Sequence, residues 1–505
     1  MFIKSITLHN FKSFVSAKEK SSSISEHVTD TDRPKDTKVE FTSGVNYLVG
    51  NNNVGKTTVL NALDFLTTGG KKEDFISKGH EDENVCVTIV LNDVDPFEGS
   101  LKKYNPYINN HQLVIQRSSE ENTIKQGKKG KEKSITFDIK KVRVFNFSKK
   151  QFENPTGVGG TITDLIDPEI IYADMHNEDY QDFGTTKTTG KLIKIITKGF
   201  QTGPAFMNLK KAHEVAFGSN GIKKYLGQTE EALDKILGEQ FGSSQMEFKF
   251  DFPDVNALLK KGDILVTENG IKTDISEKGN GLQRALALAI IQVYSNISSK
   301  EENTQYLIDE PEIYLHPKAQ DKLIDSLVTL SEKGNQIFIT THSPYILRHY
   351  REEKDSIIIL SMDSGSKRKK IDLINSLLFS PTSIGEVTYK AFGVPTVDFH
   401  QLLFTKLYIY WIHDIQQDSG DRTLKNFEKT FLQPECIEQS LSKQSFVPRV
   451  KGVWRDEAQR TIPYIVRNEI DHPETLDGSR NVWKEENLKK SIDCLLTIYK
   501  DKIKN

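Results

Sequence analysis

Tyr47-Leu48-Val49-Gly50-Asn51-Asn52-Asn53-Val54-Gly55-Lys56-Thr57-Thr58 is an apolar run that passes into Gly-x-x-x-x-Gly-Lys-Thr. Behind it, Val59, Leu60, Ala62, Leu63 and Leu66 recur at helical spacing, so the pattern predicts a strand, a tight loop and a helix. Between Gly50 and Gly55 such a loop can turn its N–H groups inward around a phosphate. Lys56 can then reach the β and γ oxygens, and Thr57 can offer its hydroxyl to Mg2+. An ordinary Gly/Asn turn has no use for the Lys-Thr pair. The stretch therefore predicts nucleotide binding, with Gly50, Asn51, Asn52, Asn53, Val54, Gly55, Lys56, Thr57 and Thr58 as the contact residues.

A phosphate loop needs an acidic partner at the same edge of a sheet. Tyr306-Leu307-Ile308-Asp309-Glu310-Pro311 supplies one, as an apolar strand ending in adjacent carboxylates. Asp309 would hold Mg2+ through water, and Glu310 would orient and polarise the attacking water. The alternative is that the acids cap a helix starting near His316. A further strand, Gln336-Ile337-Phe338-Ile339-Thr340-Thr341, delivers His342-Ser343-Pro344. A histidine at that end of a strand faces the ligand crevice, where it can meet the γ-phosphate or the attacking water.

Ser276-Glu277-Lys278-Gly279-Asn280-Gly281-Leu282-Gln283-Arg284 precedes an apolar helix, Ala285 to Val293. Glycines at a helix N-terminus make a phosphate-receptive end, although Gly-x-Gly before a helix is often only a turn.

Composition sets the outer bounds. A chain of 505 residues with 36% hydrophobic and 27% charged content reads as globular, with about two to four domains. No apolar run approaches the roughly 18 residues that span a bilayer, and the first residues lack a basic-then-apolar leader. A cytoplasmic protein without membrane contact is expected. Cys86, Cys436 and Cys494 are too scattered in sequence for a disulfide framework or a metal-ligand cluster. A net charge of -2 exerts no global pull on nucleic acid, so RNA or DNA would need a local patch. Lys125 to Lys131 is a basic tip, more simply a solvated turn than a nucleic-acid contact. Leu192 to Gln240 is helical in pattern without sustained heptads, which excludes a long coiled-coil arm.

Together these motifs resemble the ABC-type ATPase heads of the SMC-like and OLD-like (overcoming lysogenisation defect) group. The likeness is carried by Asn10-Phe11-Lys12-Ser13-Phe14, Gly50 to Thr58, Lys278 to Arg284, Asp309-Glu310-Pro311-Glu312 with Leu315-His316-Pro317, and Thr341-His342-Ser343-Pro344. It spans roughly residues 1 to 360. The resemblance implies an α/β P-loop head with ATP and Mg2+ as cofactors and Lys12 among the nucleotide contacts. It also implies head-to-tail pairing, each ATP lying between one phosphate loop and the partner's Gly279-Asn280-Gly281 turn. A homodimer or higher even-numbered oligomer follows. Where transporters have Ser-Gly-Gly-Gln this chain has Lys-Gly-Asn-Gly-Leu-Gln, so the motif itself supplies no hydroxyl for the γ-phosphate, and Ser276 is the candidate replacement. The glutamine that completes the Mg2+ shell is not assigned; Gln116, Gln151 and His176 are the candidates.

OLD-like nucleases follow such a head with a TOPRIM domain, whose metal-binding acids need Glu-Gly after one strand and Asp-x-Asp after another. Neither occurs beyond residue 360. Instead Phe399–Ile415, Leu424–Phe431, Asp456–Ile470 and Glu485–Lys500 read as amphipathic helices. Residues 361–505 are therefore expected to form an α-helical C-terminal domain after a head of 1–360 that carries strand-rich and helical insertions at about 100–150 and 190–260. Within it, Arg467-Asn468-Glu469-Ile470-Asp471-His472 resembles the loose Arg…His pattern of HEPN-type ribonucleases. By that resemblance His472 would act as acid/base and Arg467 would neutralise the phosphate. The plainer reading is a pair of surface cations at a helix C-terminus, where the dipole favours them.

The whole then reads as a dimeric ATPase switch of anti-phage defence. Its effector is either its own RNA-cutting domain or a separately encoded nuclease or toxin docked on that domain. A DNA-repair clamp is a third reading.

Overall fold

The computed structural model describes residues 1–15, 38–126, 133–154, 165–166, 168–171, 203–242, 247–252, 264–279, 281–283, 285–286, 289–290, 293, 304–313, 315–362, 369–374, 377–379, 383–416, 420–439, 441, 443–447, 449–450, 453–454, 456–471 and 485–504. The chain divides into one unit of residues 1–170, 303–312 and 317–505 and a second of residues 171–302 and 313–316.

In the first unit the strands are, in chain order, β1 (Phe2–His9), β2 (Lys38–Glu40), β3 (Val45–Val49), β4 (Cys86–Asn92), β5 (Leu113–Ser118), β6 (Asn122–Gln126), β7 (Lys133–Phe137), β8 (Arg143–Asn146), β9 (Gln151–Glu153) and β10 (Glu169–Ile171). The second unit holds the hairpin β11 (Leu265–Glu268) and β12 (Ile271–Asp274). The first unit resumes with β13 (Gln305–Asp309), β14 (Gln336–Thr341), β15 (Ser356–Met362) and β16 (Lys369–Ile374).

One sheet runs β10-β13-β14-β3-β15-β16. β13, β14, β3 and β15 are mutually parallel, and β16 closes the edge antiparallel to β15. Every residue of β3, β13 and β14 is buried, as a parallel sheet covered on both faces requires. That is why these strands read as unbroken apolar runs. Because they are parallel, the residues after Val49, Asp309 and Thr341 leave the sheet at one edge.

The second sheet, β2-β1-β4-β5-β8-β9, is antiparallel. Its inward residues Ile6, Leu8, Val87 and Ile89 share one core with Leu60 and Leu63 of the helix Lys56–Thr68 and with Leu307, Phe338 and Ile358 of the parallel sheet. Gln336 laces the two sheets: its amide accepts Ile3 N–H at 2.8 Å and donates to the carbonyls of Ile3 at 2.8 Å and Thr42 at 2.7 Å. β6 and β7 form the hairpin below the basic tip, whose residues 127–132 lie outside the described ones.

In the second unit, the helices Pro204–Phe217 and Ile222–Phe241 expose Met207, Val215, Tyr225 and Ile236. They are two short helices rather than one long arm. β11 and β12 pair antiparallel just before Ser276.

The C-terminal stretch of the first unit has its own core of Phe399, Leu403, Phe404, Leu407, Trp411, Phe427, Leu432, Val466, Ile492 and Leu495. It is mainly helical, from Ile384–Phe392 and Val397–Tyr410 to Glu485–Tyr499. Two points differ from the sequence reading. The helix placed at Asp456–Ile470 spans Ile462–Asp471, because Ala458–Arg460 pairs instead with Gln444–Phe446. A second small hairpin joins Arg449–Val450 to Val453–Trp454. Alternation over a few residues is too short a signal to separate strand from helix. Among the described residues no helix is long and apolar enough to cross a membrane.

Candidate functional site

Three glycine and asparagine conformations shape the loop after β3. Gly50 has φ 141° and Gly55 φ 105°, both in the region that favours glycine, and Asn53 follows at 62°. A Cβ on Gly50 would stand 2.1 Å from the carbonyl oxygen of Leu360, so β15 presses directly on the loop. At Gly55 a Cβ would meet the ring of Phe14 at 2.8 Å. The segment Asn10–Phe14 thus forms the loop's floor, with the Ser13 and Thr58 hydroxyls 3.4 Å apart. The helix Lys56–Thr68 starts at Gly55 without a side-chain cap, leaving its first N–H groups aimed at the loop.

Lys56 Nζ donates to the carbonyls of Gly50 and Asn51, both at 3.1 Å, and lies 2.7 Å from His342 Nε2. Burial pulls its amine below the usual lysine range, while Glu310, Asp309 and Glu312 pull it back up. Thr57 Oγ1 donates to Asp309 at 3.0 and 3.2 Å. Thr340 also donates to Asp309. Glu310 follows with φ 44°, a strained backbone held by its N–H bonds to Thr340 O at 3.1 Å and Thr340 Oγ1 at 2.9 Å. That turn carries Glu310 Oε1 to 3.3 Å from His342 Nε2.

The structure therefore brings Lys56, Thr57, Asp309, Glu310 and His342 together within one chain. Both acids thus face the phosphate loop and the neighbouring strand end, and the next helix spans Pro317–Glu332. The set fits a nucleotide with a hard cation. Mg2+ commonly takes one or two protein oxygens and fills the rest of its shell with water and phosphate, and Thr57 and Asp309 are such a pair.

Lys12 precedes Ser13, whose hydroxyl lies 3.4 Å from that of Thr58. Its backbone N–H bonds Phe75 O, its amine stands 5.5 Å from the Phe75 ring, and burial lowers its pKa against the charge of Asp64. With Ser13, Lys72, Asp74 and Lys78 it lines a cleft of about 860 Å3.

The Mg2+-shell candidates fare differently. Gln116 is buried inside the antiparallel sheet with its amide donated to Thr88 at 3.0 Å. Gln151 Nε2 donates to Glu153 at 3.0 Å, and His176 lies outside the described residues. In the second unit Ser276 Oγ donates to Asp274 at 2.6 Å. A Cβ at Gly279 would meet nothing within 4 Å among the described residues; Gly281 is described, while Asn280 lies outside them.

In the C-terminal core Arg467 pairs with Asp471 and lies 5.9 Å over the Phe404 ring. His472 lies outside the described residues. Sequence reasoning missed Glu312, Thr340 and Thr341, which grip the strand ends. The second glutamate of Asp-Glu-Pro-Glu was the available signal.

A family model described as AAA ATPase domain matches residues 1–347. The Old nuclease of Escherichia phage P2 is 30% identical over 330 residues, covering 59% of this chain and 53% of its own length. The OLD nuclease of Thermus scotoductus is 24% identical over 358 residues, covering 65% of this chain and 62% of its own. The chain thus spans between half and two thirds of the length of these two relatives. The Smc head domain with an extended coiled coil, bound to the C-terminal domain of ScpA, from Pyrococcus furiosus is 15% identical with a TM-score of 0.40. That match covers 74% of this chain and 96% of that one.

Proposed function

This chain belongs to the AAA ATPase domain family, and on that premise we propose that it binds and hydrolyses ATP as a dimeric switch that controls a toxic effector in anti-phage defence. One observation carries the reading: Lys56, Thr57, Asp309, Glu310 and His342 converge from three parallel strand ends. Lys56 and the uncapped helix end bind the triphosphate. Bound Mg2+, held through Thr57 and Asp309, would neutralise charge on the phosphate oxygens. Glu310, beside His342, accepts a proton from the attacking water and orients it, while the imidazole reports the γ-phosphate. Ser276, Gly279, Asn280 and Gly281 serve the partner's nucleotide. ATP hydrolysis that Lys56→Ala and Glu310→Gln both abolish is the direct test.

The kinship with OLD nucleases supports a nuclease as the effector controlled. Two versions differ in where it resides. In one, Arg467 and His472 cut RNA without metal. In the other, the C-terminal domain docks a separately encoded nuclease or toxin. The pairing of Arg467 with Asp471 favours the second, because a guanidinium already neutralised is poorly placed to meet a phosphate. RNA cleavage in EDTA that His472→Ala removes supports the first; a partner co-purifying through residues 399–505 supports docking.

A further inference from the structure

We propose that Glu312 is a positioning residue of the hydrolytic site, acting through His342; the proposal rests on the ATPase reading above. Glu312 Oε1 accepts the Thr341 hydroxyl at 2.8 Å and the backbone N–H of His342 at 2.7 Å. Thr341 Oγ1 in turn accepts Ser343 N–H at 2.9 Å, so the grip extends across the turn on either side of the histidine. One carboxylate oxygen thereby fixes the peptide from which the imidazole projects. Nε2 lies several bonds further out, so a small rotation of that peptide displaces it enough to lose both its 2.7 Å approach to Lys56 and its 3.3 Å approach to Glu310.

The lacing is double. Glu310 is tied by its N–H to Thr340, and Glu312, on the same turn, is tied to the next two residues of the neighbouring strand end. The turn that carries the water-orienting acid and the strand that carries the histidine are thus held as one piece. Glu312 itself does not react. Its side chain is partly buried, and Oε2, shielded from solvent, has no hydrogen-bond partner among the described residues. Burial, reinforced by the charge of Glu310, pushes its carboxyl above the usual range. A plain strand-end cap would not need a carboxyl kept in so costly a place.

The experiment compares Glu312→Ala, Glu312→Gln, His342→Ala and the Glu312→Ala/His342→Ala double variant. Glu312→Ala should lower kcat about 30-fold with ATP affinity within about twofold of the parent, and Glu312→Gln, which keeps an acceptor oxygen, should recover all but about threefold. In the His342→Ala background the Glu312→Ala cost should shrink to about twofold or less, because the two residues act as a unit. A cost that persists there, an equal loss of ATP affinity, or a Gln variant no better than Ala overturns the proposal. Hydrogen exchange at the 338–345 backbone reads the grip without turnover and should quicken in Glu312→Ala and in the double variant but not in Glu312→Gln; unchanged exchange overturns the proposal as well. Quickened exchange in Glu312→Ala, with no Lys56-dependent hydrolysis in the parent chain, would overturn the ATPase reading and leave the grip standing.

Discussion

Lys56 Nζ lies 2.7 Å from His342 Nε2, joining the phosphate loop to a strand end 286 positions further along the chain. A lysine ammonium only donates, so in this contact the ring nitrogen accepts and the ring proton sits on Nδ1. The same nitrogen is within 3.3 Å of Glu310 Oε1, to which it donates when it carries a proton, in the Nε2–H tautomer or the charged ring. Nε2 therefore has competing partners, and a triphosphate that draws Lys56 away changes which one it keeps.

The first prediction follows from that competition. Lys56→Ala should weaken ATP binding by about 100-fold or more, since a buried charged donor is lost. His342→Ala should keep affinity within a few-fold and lower kcat by about 10- to 100-fold. Titration with a fluorescent ATP analogue beside steady-state turnover separates them. Equal loss of affinity in both would mean that the histidine is only a strut for the lysine.

How far the sequence alone reached differs between the halves of the chain. Strands β3, β13 and β14 were legible because burial on both faces leaves uninterrupted apolar runs, each running straight into a motif: the phosphate loop, the paired acids and the histidine. Glu312 was not legible as a grip, since its partners Thr341 and His342 lie some 30 positions away. The 3.4 Å approach of the Cys436 and Cys494 sulfurs escaped for the same reason: the two lie 58 positions apart and meet only in the folded C-terminal core. The strand at Ala458–Arg460 was read as helix because its partner, Gln444–Phe446, is set by tertiary pairing.

Head-to-tail pairing is testable through Glu310. Glu310→Gln should block turnover while preserving ATP binding, so ATP with Mg2+ should drive the chain from monomer to dimer in light scattering. Adding Gly279→Arg should abolish that dimer without lowering ATP affinity of the single chain, because a Cβ at Gly279 meets nothing within 4 Å among the described residues. A Glu310→Gln variant that stays monomeric when saturated with ATP ends the sandwich model.

His400 makes the C-terminal core sensitive to acid. The side chain is fully buried, with Nε2 2.8 Å from Ser491 Oγ, and burial, aided by the Arg467 charge, lowers its pKa from 6.5 to about 3. The folded state thus disfavours the proton that the unfolded state accepts near pH 6.5. Its contribution to stability is complete above that pH and is lost as pH falls from 6.5 towards 3. The slope is at most about 1.4 kcal/mol per pH unit. Thermal unfolding of the whole chain between pH 4 and 8 should show this decline, and His400→Gln should flatten it. An identical slope in the variant would assign the decline to other groups.

Cys436 and Cys494 bring their sulfurs to 3.4 Å within the same core. Both thiols are buried, at 0% and 3% exposure. The hydrogen bond between them pushes Cys436 up and brings Cys494 down, so Cys494 is the sulfur that ionises first. Closing a bond needs the sulfurs roughly 1.4 Å nearer each other, within reach of side-chain rotation. Because burial keeps solvent out, the reaction with diamide should be slow and should quicken in low urea, which opens the core locally. The two thiols would lose two electrons and two protons to the azo reagent, giving one disulfide and the reduced hydrazine. Cross-linking residues 58 positions apart restricts the unfolded chain by up to about 4 kcal/mol. Oxidised protein should therefore melt several degrees higher, and dithiothreitol or Cys436→Ser should remove the gain. Peptide mass mapping identifies the bond. A disulfide that forms without raising the melting temperature would show that the helices must distort to make it, and no bond after prolonged diamide in low urea would place the sulfurs further apart than they stand here.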